Sequence, residues 1–297
     1  MVYESAIDVD SIVALDTHVH VEVDDAGHNA LPPLLVDAAS KYFKAGDSRP
    51  TLDEIAALYR SLSMAAVVFT VDAERALGHP PNSSEEIAIG AARNNDALIP
   101  FGSVDPTDPA VAITKAKRLV EEFGVRGFKF HPTVQNFDPS DPRYFKLYGV
   151  ISEYGLPAIF HTGQTGIGSG LPGGAGLRLS LSNPMLLDTV AAEFSHWKIV
   201  MAHPSVPWQD EAIAIATHKE NVSIDLSGWS PKYFPPQLVR AADSYLKHKV
   251  LFGSDYPLIA PDRWLRDFKA LDVKDEVRPL ILKANAVRLL GLEKEAK

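Results

Sequence analysis

Residues 14–20 read ALDTHVH: an apolar start, an aspartate, then two histidines one residue apart. In a strand, side chains alternate between faces, so residues two apart point the same way. His18 and His20 would then stand side by side, a layout suited to gripping a metal ion. Two histidines alone do not make a site, and the rest of the chain must supply the other ligands.

Working outward, ALDTHVHV (14–21) is the first of eight short apolar segments. The others are AAVVFTVD (65–72), LIPFGSVD (98–105), RGFKFHPT (126–133), PAIFHTG (157–163), KIVMAHPS (198–205), NVSIDLSG (221–228) and KVLFGSDYP (249–257). Nearly continuous apolar character suits strands buried on both faces, as in a parallel sheet. The pieces between them suit helices. SSEEIAIGAARNN opens with serines and acids that suit a helix N-terminus, and DPAVAITKAKRLVEEFG carries apolar residues at helical spacing before a glycine. Eight strands alternating with helices predict an α/β fold of the (β/α)8 barrel type. A doubly wound open sheet has less reason to end nearly every strand in polar or turn-forming residues. In a barrel those C-terminal ends converge on one mouth, where the active site lies.

A chain of 297 residues can hold two domains, but a closed α/β barrel of this length is routinely one. Residues 1–297 therefore read as a single barrel domain, with 22–64 as a lid-like insertion after the first strand. The glycine- and serine-rich stretch 163–184 reads as a flexible substrate loop, since its glycines follow neither phosphate-binding nor dinucleotide spacing. A formal net charge of −9 argues against a nucleic-acid partner. The absence of cysteine excludes disulfides, thiolate metal sites and cysteine nucleophiles. The acidic, interrupted N-terminus lacks the pattern of a signal peptide, and no apolar run reaches membrane-spanning length. These features predict a soluble, cytoplasmic protein with no membrane partner.

The strand ends then supply the missing ligands. His18 and His20 end the first strand, His161 the fifth and Asp255 the eighth. Three imidazoles and a carboxylate suit one divalent ion, Zn2+ by first preference and Mn2+ nearly as well. With a coordination position left open, such an ion would activate water for attack on a carbonyl carbon. His203 ends the sixth strand. It reads as general base or proton shuttle ahead of a further ligand or a histidine bonded to a loop carbonyl. Asp255 is either a ligand alone or also the acceptor of the water proton. Lys129 and His131 share a face of the fourth strand. Lys129 either binds a substrate anion, pairs with a carboxylate, or is carboxylated to bridge two metals. His131 either touches substrate or caps the strand end. Arg178, in the glycine-rich loop, is a candidate clamp for a substrate carboxylate, or a solvated surface residue. Trp208 and Trp229 follow strand ends and are candidates for walling an aromatic substrate pocket, or core residues near the rim.

The set His18-Val-His20, Gly127-Phe-Lys129-Phe-His131-Pro132, His161-Thr-Gly163, His203-Pro and Gly253-Ser-Asp255-Tyr-Pro257 resembles the amidohydrolase 2 family. So does the C-terminal Asn285-Ala-Val-Arg-Leu-Leu-Gly-Leu, and the resemblance covers nearly the whole chain. It implies a distorted TIM barrel with a single divalent metal, His18, His20, His161 and Asp255 as ligands and His203 as the catalytic histidine. Members of that family include decarboxylases, a hydratase and a pyrone dicarboxylate lactonase, so shared fold and metal do not decide the reaction. Some decarboxylases of the group replace the first histidine with glutamate, which this chain does not. The resulting expectation is a metal-dependent hydrolase of a small aromatic or carboxylated substrate, cleaving a lactone, an amide or a β-ketoacyl carbon–carbon bond. The alternative is non-oxidative decarboxylation of an aromatic or muconate-type acid. A barrel that only binds is a third reading, disfavoured by the intact ligand set. Related barrels suggest a homodimer by analogy.

Overall fold

A computed structural model describes residues 2–44 and 49–293. All eight apolar segments form strands: β1 (Ala14–His20), β2 (Met64–Phe69), β3 (Leu98–Pro100), β4 (Phe128–Phe130), β5 (Ala158–His161), β6 (Ile199–Ala202), β7 (Val222–Asp225) and β8 (Val250–Leu251). Between β1 and β2 lie α1 (Pro33–Phe43) and α2 (Leu52–Ser61). Then follow α3 (Glu74–Leu77) and α4 (Ser84–Arg93), α5 (Pro109–Glu121), α6 (Pro132–Gln135) and α7 (Phe145–Glu153). The later connections carry α8 (Leu186–Glu193), α9 (Gln209–His218) and α10 (Pro236–Ala242), and β8 is followed by α11 (Pro261–Lys269) and α12 (Asn285–Leu290).

Parallel ladders join β1–β2–β3 and β4–β5–β6–β7–β8. Two seams close the ring. At one, Gly102 bridges Phe128, with Gly102 N donating to Gly127 O at 2.9 Å and Lys129 N to Gly102 O at 2.8 Å. At the other, Val19 bridges Tyr256, with His20 N donating to Tyr256 O at 2.8 Å and Asp255 N to His18 O at 2.9 Å. The result is a distorted eight-stranded TIM barrel whose seams are bridges rather than full ladders.

Alternation divides the strand side chains into two sets. Phe128, Phe130, Phe160, Met201, Ile224 and Phe252 pack outward among the helices. Leu15, Val67, Phe69, Ile99, Ile159, Val200 and Leu251 pack together inside, joined by Ala286 and Leu290 of α12, which plugs the lower end. In β1 the register shifts between Asp16 and Val19. This bulge lets Leu15 and His18, three residues apart, both face the interior. Leu15 belongs to the apolar plug, and His18 begins the polar layer above it.

The two halves of 22–64 have different roles. In α2, Ile55, Ala56 and Tyr59 are fully buried against the barrel, so this is a wall helix. In α1, Ala39, Tyr42 and Phe43 reach the cavity at the barrel mouth. Gly166, in the loop after β5, lies beneath them: a Cβ there would meet the Phe43 ring at 2.3 Å. Gln164 Nε2 donates to Tyr42 Oη at 3.0 Å. The two segments together roof the mouth. No helix among the described residues is long and apolar enough to cross a membrane.

Candidate metal centre

Strand ends deliver the polar layer. His18 and His20 leave β1, Lys129 leaves β4, His161 leaves β5, Asp225 leaves β7, and His203 and Asp255 lie just past β6 and β8. The last two have positive φ, 72° for His203 and 70° for Asp255. Such backbone is uncommon for residues other than glycine and is held here by the surrounding structure. His203 N donates to Asp225 Oδ1 at 3.2 Å, and Asp255 N to His18 O. A glycine is required at 253, where a Cβ would lie 2.9 Å from Cβ of both His18 and Ser227.

His18 Nε2, His20 Nε2 and Asp255 Oδ1 form a triangle. The imidazole nitrogens are 3.3 Å apart, and each is 3.3 Å from the carboxylate oxygen. An ion held about 2.0–2.1 Å from each donor in a tetrahedron needs donors roughly 3.3 Å apart. Asp255 Oδ1 and His161 Nε2 are buried with no hydrogen-bond partner among the described residues. Buried polar atoms are normally satisfied, so an orphaned oxygen at one corner of a donor triangle is what a metal ligand looks like. The donor set fits a divalent metal.

The hydrogen-bond order assigns the tautomers. Ser227 Oγ donates to Asp225 Oδ1, which leaves that hydroxyl to accept from His203 Nδ1 at 2.8 Å. His18 Nδ1 donates to Asp225 Oδ2 at 2.8 Å. Both rings therefore present unprotonated Nε2 atoms toward the mouth. His203 Nε2 faces His161 Nδ1 at 2.9 Å. With the proton of that bond on His161, the His161 Nε2 is also a lone pair. A second close group, His18, His203 and Asp225, is this bonded cluster beneath the triangle.

Electrostatics reinforces the arrangement. Burial, with Lys129 adding to it, drives the His18 pKa down to about 3. Burial likewise holds His131 and His161 well below the usual imidazole range, and lowers His203. Burial alone would raise Asp255 and Asp225, but the imidazoles around them outweigh it and keep both below the carboxylate range. Neutral imidazoles and ionised carboxylates are the protonation states that metal ligation requires.

The remaining sequence candidates fall in different places. His161 does not join the close triangle. His131 stacks on it with ring centroids 3.8 Å apart and also lines the cavity, while its Nδ1 accepts from Val134 N at 3.4 Å. Lys129 is fully buried, with Nζ 2.9 Å from His18 Nε2 and 4.7 Å from the centre of the Phe69 ring. Burial lowers its pKa to about 8. Arg178 is exposed, donates to Asn136 Oδ1 at 2.7 Å and does not line the cavity. Trp208 is half-buried at the start of α9 and also lies off the cavity; Trp229 forms part of its wall.

Sequence reasoning missed Asp16, Glu22, Asp225 and Ser227. Asp16 accepts from Tyr59 Oη at 2.6 Å, Ser254 N at 2.9 Å and His18 N at 3.0 Å, tying β1 to α2 and to the end of β8. Burial raises its pKa to about 7. Asp225 and Ser227 belong to DLSG, a strand end with the same signature as the others. Glu22 continues the two-residue spacing of His18 and His20.

No curated protein matches the chain in sequence. Among solved structures, an uncharacterised TIM-barrel protein of Bordetella bronchiseptica superposes with a TM-score of 0.77 at 20% identity, covering 94% of this chain and 98% of that one. A dihydroxybenzoic acid decarboxylase of Polaromonas sp. JS666, with bound manganese and the inhibitor 2-nitroresorcinol, gives 0.68 at 16% identity, with 95% and 98% covered. A probable 2-pyrone-4,6-dicarboxylic acid hydrolase of Acinetobacter baumannii gives 0.59 at 15%, with 94% and 100% covered. At these identities the likeness establishes the fold alone. The amidohydrolase family model matches residues 15–292. That match spans every strand from Leu15 onward, all the strand-end residues described above and the plugging helix, and the chain belongs to the amidohydrolase family.

Proposed function

We propose that the protein is a metal-dependent hydrolase of a small, ring-bearing carbonyl compound. The observation that carries this reading is the triangle of ligand-type atoms from His18, His20 and Asp255 at the floor of a cavity with apolar walls. His161 Nε2, orphaned beside it, is the fourth proposed ligand. Zn2+ is the first choice for nitrogen-rich donors, and Mn2+ suits the same set. Bound there, a divalent ion supplies Lewis acidity, polarising a carbonyl oxygen and lowering the pKa of water.

The chain's own groups supply the rest. His203 holds an unprotonated Nε2 and is oriented by Ser227 at its Nδ1; that Nε2 accepts from His161 Nδ1 at rest and becomes the proton acceptor when His161 gives up the bond. Asp255 keeps one carboxylate oxygen in the triangle, leaving the other to receive or return a proton. Val134, Ile167, Trp229 and Phe43 enclose an apolar ring and exclude water from it. The substrate carbonyl is thereby directed at the floor, where water would add to its carbon with His203 taking the water proton, and that proton would return to the leaving oxygen, nitrogen or carbon as its bond to the acyl carbon breaks.

A second reading is non-oxidative decarboxylation. The manganese-bearing decarboxylase of the same fold favours it, and the same pocket would accept an aromatic acid. Reaction in oxygen-18 water with trapping of released carbon dioxide separates the two. Label in an acid product supports hydrolysis. Carbon dioxide release without label in the organic product sinks hydrolysis in favour of decarboxylation.

A further inference from the structure

The cavity above the metal triangle is lined by two carboxylates, Glu22 and Asp255, and by no lysine or arginine among the described residues. Asp255 belongs to the triangle. Glu22 does not, and the reaction proposed above makes no use of it. Its backbone continues the extended run of β1: Val21 N donates to Phe69 O at 2.8 Å, and Glu22 O accepts from Ala30 N at 2.9 Å. Two-residue alternation therefore sends His18, His20 and Glu22 to one side, each a step further up the wall. The Glu22 carboxylate is ion-paired with Arg49. Arg49 Nη2 in turn donates to Ser40 Oγ of α1 at 2.7 Å, which anchors the pair to the roof. The Glu22 side chain remains 19% exposed and Arg49 only 6%, so the carboxylate has Arg49 on one side and the cavity on the other.

We propose that Glu22 is a specificity-determining residue that accepts a hydrogen bond from an O–H or N–H on the substrate ring and repels a second substrate carboxylate. The inference rests on the reading of the floor as a metal centre that holds the substrate's carbonyl end. A carboxylate fixed by a cation and facing an apolar enclosure is acceptor-only. Against a ring hydroxyl it makes a charge-assisted bond, and against a methyl ether it is left unmatched. A second carboxylate on the ring finds no cation to pair with among the described lining residues, and an anion to oppose it. The exposed position of Arg178 removes the clamp that would otherwise welcome such a group.

The test uses benzohydroxamic acid, whose hydroxamate chelates divalent metals, and its 3- and 4-substituted hydroxy, methoxy and carboxy derivatives. Binding to the zinc-loaded full-length protein is measured by titration calorimetry, with metal content checked by elemental analysis. At one ring position the hydroxy derivative binds at least about tenfold more tightly than its methyl ether. The carboxy derivative binds more weakly than the parent. Glu22→Gln, which keeps an acceptor but loses the charge, relieves the carboxy penalty and retains part of the hydroxyl preference. Glu22→Ala abolishes both. If the parent binds but hydroxy and methoxy derivatives tie at both positions, or the preference survives in Glu22→Ala, Glu22 is not the selector. If the parent itself fails to bind the metal-loaded protein, the metal-centre reading falls, and the selector with it.

Discussion

Asp225 engages three residues at the base of the site. One oxygen accepts from His18 Nδ1, and the other from Ser227 Oγ and the His203 backbone. Removing its charge while keeping its shape therefore perturbs both the proposed ligand and the proposed base. Asp225→Asn is expected to weaken zinc affinity about 10–100-fold, as loss of a carboxylate behind a metal-bound histidine does. Competition against a fluorescent chelator measures this, and undiminished affinity would remove Asp225 from the account. His203→Asn is expected to behave differently, keeping its metal while turnover falls by about 10²–10⁴-fold, the range for loss of a general base. Elemental analysis beside single-turnover rates reads both quantities, and loss of metal instead would make His203 a ligand. At this scale the sequence was half legible. Histidines and Asp255 at strand ends carry a recognisable signature. Asp225 and Ser227 carry the same signature, but nothing local says that they support other side chains instead of reaching the mouth. Arg178 shows the opposite case: a loop residue with suitable chemistry whose direction depends on how the loop folds back on Asn136.

The strands end sooner than their apolar runs suggest because the residues beyond them leave the ladder to form the site. β8 keeps only Val250 and Leu251, and Asp255 sits in a turn with φ of 70°. Helix limits follow local chemistry more closely. Ser83 caps α4 by accepting from Glu86 N, and Thr51 with Glu54 forms a reciprocal capping box on α2. Thr51→Ala should cost about 1 kcal/mol in urea denaturation, since it orphans a helix-terminal N–H and frees Glu54. Gly127→Ala should cost more, about 1–3 kcal/mol from overpacking, because a Cβ there meets the Phe101 ring at 2.3 Å inside the barrel. A variant as stable as the parent in the same titration would mean that Phe101 moves aside without strain. Helix α11 went unread in the sequence although Trp264 and Phe268, four residues apart, are its buried stripe. Its short apolar face, set among charged residues and opened by a proline, resembles a loop until the barrel wall it covers is in place.

Over the whole molecule, the proposed ion would join β1, β5 and β8, elements that are distant in sequence but adjacent to or facing one another around the ring. Binding to the folded state alone adds stability of about 2.7 kcal/mol when free metal is at 100 times Kd. Zinc added to metal-stripped protein is therefore expected to raise the thermal midpoint, and His18→Ala to remove that dependence. An equal zinc-induced rise in the variant would place the ion elsewhere. The amino-acid sequence by itself determined the eight strands, their parallel order and the face shared by His18 and His20, because burial and two-residue alternation act between near neighbours. Only the tertiary structure decided that Asp225 rather than Asp255 holds His18 Nδ1, that His161 stands beside the triangle, that Glu22 faces the cavity and that Arg178 does not. Those relations cross the barrel, and distances across it depend on strand tilt, bulges and closure of the ring as a whole, which no single segment encodes.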